Sequence, residues 1–315
     1  MNKISSIISL LRVQQWYKNI IIFFGIVFAL ELVSPANIFV SVLGFIALCL
    51  ITSGGYIRND IIDLQQDKIH PEKCKRPLPS GQITLKKANI TFLIITGIGL
   101  LLSFSLDLLF GVFMIALIIN TEIYSRITKN IVFLDVFVIG INFVIRAVSG
   151  IVLINASISP WIILGVFFVA LFLGFMKRKS EIITLKSLAG SHRKVLSHYT
   201  KISLNISVFI SAMMILAIFT IYSVIGPFHD GRLILTVPFI AFIILRQLYL
   251  SKINHILIQK NEFMFKIKLV LVFLVFVFIG NAQNSFIVEN VKVFDGEIVI
   301  ESTSVKVEDG IITEI

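Results

Sequence analysis

Apolar residues recur along this chain in runs of spanning length, broken by short polar connections. A helix crossing the ~30 Å hydrocarbon core of a bilayer needs roughly 20 apolar residues. Nine runs suit that role: about 20–34, 37–57, 88–106, 108–123, 131–154, 160–176, 202–225, 233–250 and 265–281. In lipid the backbone has no water to bond, so each run predicts a helix. The expected fold is all-α: a polytopic membrane bundle of about nine transmembrane helices, followed by a short C-terminal β-prone tail.

Composition strengthens that picture. Hydrophobic residues make up 57% of the 315 positions and charged residues only 15%, against about 25% in a soluble domain. Charge also orients the bundle. The N-terminal segment carries Lys3, Arg12 and Lys18, and the connections at 58–87, 124–130, 177–201 and 246–268 carry seven, two, seven and five basic residues. The alternate connections near 31–37, 107, 155–159 and 226–232 hold one, Arg232. By the positive-inside rule, the N-terminus and the basic loops are cytoplasmic in an inner cell membrane, and the C-terminal tail lies outside. The formal charge of +10 then reflects topology and anionic headgroups or phosphates, not a nucleic-acid surface. The two cysteines, Cys49 and Cys74, suggest neither a disulfide framework nor a zinc site.

Acidic residues number only 18, yet three fall within eight positions: Asn59-Asp60-Ile-Ile-Asp63-Leu-Gln-Gln-Asp67, before His70-Pro71. On a helix, Asn59, Asp60, Asp63 and Asp67 share one face. Like charges at that spacing repel unless a cation neutralises them, and hard oxygen donors suit Mg²⁺ bridged to substrate phosphates. Asp60, Asp63 and Asp67 are therefore the expected metal ligands. Lys73, Lys75 and Arg76 follow at once, then the turn Pro77-Leu78-Pro79-Ser80-Gly81. Acids for a metal beside bases for phosphate is the combination diphosphate chemistry needs.

A second polar pole comprises Tyr124-Ser125-Arg126, Lys129, Asp135 and Arg146. Ionisable residues inside spans usually face a cavity or the bundle interior. Eleven residues apart, Asp135 and Arg146 can lie on one helical face. Arg146 is expected to meet an acid or a substrate phosphate, with a structural salt bridge as the alternative. Lys177-Arg178-Lys179-Ser180-Glu181 adds bases at the cytoplasmic end of the sixth run, where membrane anchoring would equally explain them.

The C-terminal segment differs in character. Residues 1–263 are expected to form one membrane-embedded part. Residues 264–283 have a basic start, an apolar stretch and small residues before Ala282, the layout of a secretory signal peptide. They read as a captured foreign segment, with a native ninth helix as the alternative. Residues 284–315 are acidic, with β-branched runs and the turn pairs Asp295-Gly296 and Asp309-Gly310, and read as short strands of a periplasmic tail.

These motifs resemble the UbiA superfamily of membrane prenyltransferases, in particular its branch similar to decaprenyl-phosphate phosphoribosyltransferase. The resemblance runs over about residues 8–250. It rests on Gln15-Trp16-Tyr17-Lys18-Asn19, the Asn59–Asp67 cluster, His70-Pro71, Arg76-Pro77-Leu78-Pro79-Ser80-Gly81, Tyr124-Ser125, Lys129, Asp135, Arg146 and Lys177-Arg178. It implies a nine-helix bundle, a cytoplasm-facing polar pocket, and Mg²⁺ at the acidic motif. Prenyl-transferring members generally have a second Asp-rich motif after the sixth helix. Only Glu181 is acidic there, which favours the phosphoribosyl branch.

The resulting expectation is Mg²⁺-dependent transfer of a 5-phosphoribosyl group from phosphoribosyl pyrophosphate to a polyprenyl phosphate. Asp60, Asp63, Asp67 and Asp135 are the expected catalytic residues. Lys18, Asn59, Lys73, Arg76, Tyr124, Lys129, Arg146, Lys177 and Arg178 are expected to bind substrate. One alternative keeps the metal but takes a prenyl diphosphate as donor and an aromatic acceptor. Another is a lipid carrier or transporter, against which stand the cytoplasmic position of the acids and the absence of a strong internal repeat.

Overall fold

A computed structural model of the chain describes residues 3–28, 34–70, 72–185, 194–225, 232–253, 286–294, 299–308 and 311–314. Helix α1 (Lys3–Leu11) leads into a 3-10 run (Val13–Phe23) and a five-residue helix α2 (Phe24–Phe28). Then come α3 (Pro35–Ile62), α4 (Leu64–Ile69), α5 (Leu85–Leu106), α6 (Leu108–Arg126), α7 (Leu134–Leu153), α8 (Pro160–Leu185), α9 (Lys201–Ile225) and α10 (Val237–Ile253). Among the described residues, six of these are long and apolar enough to cross a membrane: α3, α5, α6, α7, α8 and α9. A shorter apolar helix covers Leu233–Tyr249. The run at 265–281 and the signal-peptide reading of 264–283 lie outside the described residues.

Local chemistry starts the long helices where the apolar pattern begins. Ser34 accepts the Asn37 N–H with Pro35 in the first turn, Thr84 accepts the Lys87 N–H, and Asp107 accepts the Phe110 N–H at 2.7 Å. Asp107 also ends α5, so one extended residue (φ −162°, ψ 141°) reverses the chain between two spans.

The first expected span, 20–34, corrects the sequence reading. Its described part is the end of the 3-10 run and α2, not a long helix. Tertiary contact explains this departure. A Cβ on Gly150 of α7 would lie 1.9 Å from the Ile22 carbonyl oxygen, and one on Gly25 would lie 2.4 Å from the Gly150 oxygen. Two glycines thus let backbone lie on backbone, as small residues do between membrane helices.

Among the described residues three apolar clusters build the bundle, a small one of Leu10, Ile57, Leu78, Ile83 and Ala88 and two larger ones. One joins Ile22 to Ala47, Leu48 and Ile51 of α3, Phe110, Met114 and Leu117 of α6, and Leu153 of α7. The other joins Val136 of α7 to Phe172, Phe175 and Met176 of α8, Leu204 and Val208 of α9, and Ile240 of α10. Large apolar residues also point outward, among them Leu93, Leu101, Phe209, Phe239 and Phe242. An exposed apolar surface of this extent suits lipid as the outer solvent.

Beyond the bundle, β1 (Phe286–Phe294), β2 (Val299–Glu308) and β3 (Ile311–Glu314) form an antiparallel sheet in that order. Phe286 pairs with Val307 and Lys306 with Glu314, and bulges interrupt β1 between Val288 and Val293.

Candidate active site

Helix α3 runs five residues beyond its expected end and carries Asn59 and Asp60 on its last turn. Asp63 is a joint (φ −88°, ψ 4°) before α4, which delivers Asp67. The Asp63 N–H still donates to the Asn59 carbonyl at 2.9 Å, and the Asp67 N–H to the Asp63 carbonyl at 2.8 Å. The four-residue spacing therefore survives the break.

The protein's own cations occupy these acids. Arg76 Nη1 lies 3.1 Å from Asp60 Oδ1 and 2.7 Å from Asp67 Oδ2, so one guanidinium bridges both carboxylates. Arg12 also pairs with Asp60, and its guanidinium sits 5.0 Å from the centre of the Tyr56 ring. Lys73 Nζ stands 3.6 Å from Asp67, and Lys129 pairs with Asp63. Asp60 and Asp67 are buried behind this screen. The acids expected to turn one face to an ion thus each meet a basic side chain of the chain itself. Among the described residues, no three Asp, Glu, His or Cys side chains converge as a metal cage. Burial explains the arrangement, because a carboxylate taken from water needs an opposite charge in contact.

A cavity of about 1170 Å³ opens beside this screen. Asn59, Asp63, Lys18, Lys73, Arg76, Tyr124, Lys129, Arg146, Lys177 and Arg178 all border it, whereas Asp60, Asp67 and Asp135 do not. Its other wall is apolar, with Val166, Val169 and Ala170 of α8, Ile215, Ile218 and Phe219 of α9, and Ile240 of α10. Asn59 and Asp63 are hard oxygen donors on that border, and Mg²⁺ usually takes only one or two carboxylates alongside substrate phosphates and water. The donor set therefore fits a metal shared with a phosphorylated substrate, though not an all-protein cage.

Asp135, expected among the catalytic residues, does not border the cavity. It is fully buried and accepts Arg178 Nε at 2.7 Å and the Tyr199 hydroxyl at 2.6 Å. Arg178 Nη1 donates to Glu181 at 2.9 Å, one turn on. Asp135 and Arg146 do not meet. Arg146 is 8% exposed, its Nε has no hydrogen-bond partner, and its guanidinium lies 5.3 Å from the Phe143 ring centre. Among the described residues no carboxylate pairs with it. It is a buried cation facing the cavity without a protein counter-ion.

Several contributors were missed in the sequence. Arg12 has left-handed backbone angles (φ 50°, ψ 46°) that turn the chain toward Asp60, and no motif announces that turn. Asn19 anchors the N-terminal segment, with Nδ2 donating to Thr52 Oγ1 at 2.9 Å and to Cys49 Sγ at 3.2 Å. Trp16 adds an indole bond to Ser53 Oγ at 3.0 Å. Tyr199 is distant in sequence from everything it touches; burial and the adjacent Asp135 push its hydroxyl well above the usual tyrosine range. His70 Nδ1 accepts the N–H groups of Glu72 and Lys73 at 3.2 and 3.3 Å. Partial burial and the Lys73 charge push its pKa below the ordinary histidine value.

Known proteins share this architecture. A decaprenyl-phosphate phosphoribosyltransferase from Mycolicibacterium smegmatis is 28% identical over 203 residues, 63% of this chain and 64% of that protein. A digeranylgeranylglyceryl phosphate synthase from Sulfolobus acidocaldarius is 31% identical over 143 residues, 44% and 51% respectively. The chain thus spans less than two thirds of the length of the curated relatives it matches. A solved UbiA homolog from Archaeoglobus fulgidus, bound to GPP and Mg²⁺, superposes with a TM-score of 0.65 at 16% identity, covering 88% of this chain and 98% of that one. At that identity the likeness speaks for the fold. The sequence model of the UbiA prenyltransferase family matches residues 19–280, and with most of its length so matched the chain belongs to that family.

Proposed function

We propose that this multi-pass membrane protein transfers a 5-phosphoribosyl group from phosphoribosyl pyrophosphate to a polyprenyl phosphate. One observation carries the reading. The cavity joins a polar end with more cations than acids to a half lined by apolar side chains of α8, α9 and α10. In the family, a second Asp-rich motif serves prenyl transfer; here Arg178 occupies that stretch, held by Asp135 and Glu181. Two cationic stations suit two phosphorylated substrates.

In this reading Asp63 and Asn59 would hold Mg²⁺ beside the donor's pyrophosphate, and Asp60 and Asp67 would add to the negative charge there. The metal supplies charge neutralisation of the departing pyrophosphate. Lys73, Arg76 and Lys129 face the same oxygens and stabilise the charge that develops as the C1–O bond breaks. An oxocarbenium-like centre forms at C1, as in other glycosyl transfers. A lipid phosphate oxygen then bonds to C1. That oxygen is already anionic, so no strong base is required. Arg146, which pairs with no carboxylate among the described residues, receives the acceptor phosphate, while the polyprenyl tail lies along α8, α9 and α10. The polar end faces the cytoplasm of an inner membrane, following the distribution of basic loops.

The 31% match to a digeranylgeranylglyceryl phosphate synthase favours a second reading, in which a prenyl diphosphate is the donor. Donor dependence separates the two. Membranes containing the chain are given radiolabelled phosphoribosyl pyrophosphate, with and without EDTA, and the lipid extract is counted. Label in polyprenyl lipid, lost with EDTA, is the expected result. Turnover only of a prenyl diphosphate would refute the phosphoribosyl reading.

A further inference from the structure

Arg178 borders the cavity, and Asp135, 43 residues away in sequence, fixes it while being held in turn by Tyr199, 64 residues further along from Asp135. Tyr199 follows the 3-10 turn Lys194–His198 and precedes α9. Its hydroxyl donates to Asp135 Oδ1 at 2.6 Å and accepts the Phe133 N–H at 2.8 Å. Phe133 is the N-cap of α7, has no side-chain oxygen to cap the helix, and adopts a left-handed φ of 67°. The Tyr199 hydroxyl partners an N–H that no ordinary cap serves. The two rings meet edge-on at 5.5 Å, and Phe175 of α8 closes on Phe133 at 6.1 Å. Asp135 then presents its second oxygen to Arg178 Nε at 2.7 Å, with both side chains almost wholly buried.

We infer that Tyr199 is a positioning residue for the cavity: through Asp135 it sets the orientation in which Arg178 meets a substrate phosphate. This rests on the proposed reading of the cavity as a phosphate site. A carboxylate held by a single donor can rotate about its χ angles; held by two, it gives Arg178 one register. Glu181 takes another edge of the same guanidinium at 2.9 Å, so the plane is fixed from two sides. The arrangement also ties the segment before α9 to the starts of α7 and the cytoplasmic end of α8, three elements that must agree for the cation to face the cavity.

Inorganic pyrophosphate with Mg²⁺, titrated calorimetrically into the full chain in detergent, tests this directly. Tyr199→Phe keeps the ring contacts and deletes only the hydroxyl. It should weaken pyrophosphate binding by about 10- to 100-fold, the range seen when a partner orienting a ligating side chain is removed. Arg178→Lys should weaken it comparably. In the Arg178→Lys background, Tyr199→Phe should then cost almost nothing, because residues acting through one another are not additive. Thermal unfolding of each variant identifies a merely structural effect. Wild-type affinity in Tyr199→Phe beside a loss in Arg178→Lys overturns the positioning role alone. Equal losses from Tyr199→Phe in both backgrounds also overturn it, since the residue would act elsewhere. Wild-type affinity in Arg178→Lys overturns both this inference and the phosphate reading of that wall.

Discussion

Replacing Asp60 or Asp63 by asparagine should separate two roles that the sequence assigns together. Asp60 is 2% exposed and faces Arg12 and Arg76, whose side chains are 22% and 31% exposed. Breaking a fully buried ion pair costs about 3–5 kcal/mol. Both arginines retain water and Arg76 keeps Asp67, so roughly half of that, ~2 kcal/mol, is the expected loss for Asp60→Asn. At about 2–4 °C per kcal/mol, the unfolding midpoint falls by ~4–8 °C. Asp63 and Lys129 are 17% and 19% exposed, and so accessible a pair contributes about 0–1 kcal/mol. Asp63 borders the cavity, however. Removing its charge from a metal-diphosphate site forfeits several kcal/mol of charge stabilisation, and ~3 kcal/mol is about 100-fold in rate. The assay is Mg²⁺-dependent label transfer normalised to folded protein, alongside melting in detergent. Asp63→Asn should be stable and nearly inactive, Asp60→Asn clearly less stable. Near-wild-type turnover of Asp63→Asn at saturating Mg²⁺, with no midpoint shift for Asp60→Asn, would refute the division.

Arg146→Leu should reduce transfer by more than about tenfold, since a buried intramembrane cation that no carboxylate among the described residues meets is expected to serve a ligand. Arg58 also borders the cavity but is already paired with Glu122 at 3.4 Å, and Arg58→Leu should stay within about twofold; similar small effects in both variants would return Arg146 to a structural role. Gly150→Ala should destabilise the bundle by about 1–3 kcal/mol, because its Cβ meets the Ile22 carbonyl at 1.9 Å; an unchanged melting midpoint would show that the N-terminal segment yields freely. Acidification should also loosen the turn after α4. Native His70 has a depressed pKa, so the unfolded chain binds the proton more readily. Its stabilising contribution is complete above about pH 6.5 and is lost as pH falls through the native value. Melting between pH 8 and pH 5 should show that slope in the wild type and a reduced one in His70→Gln; identical slopes would count against it.

The sequence alone determined the six long apolar helices α3 and α5 to α9, because an apolar run of spanning length has no other way to satisfy its backbone in a bilayer. It also determined the neighbourhood of the acids and bases, since Asn59 to Arg76 is continuous and four-residue spacing survives the joint at Asp63. Tertiary structure decided which charge meets which. Asp135 and Arg146 share a helix, yet Asp135 takes Arg178 and Tyr199 from other elements while Arg146 borders the cavity. The described part of the first apolar run likewise ends a 3-10 segment and forms a short helix packed on α7, where Gly25 and Gly150 admit backbone contact across the bundle. Periodicity is a property of neighbours along the chain and is therefore written locally. Ion pairing inside a low-dielectric bundle goes to whichever opposite charge folding brings within about 3 Å, a choice made by packing among residues tens of positions apart.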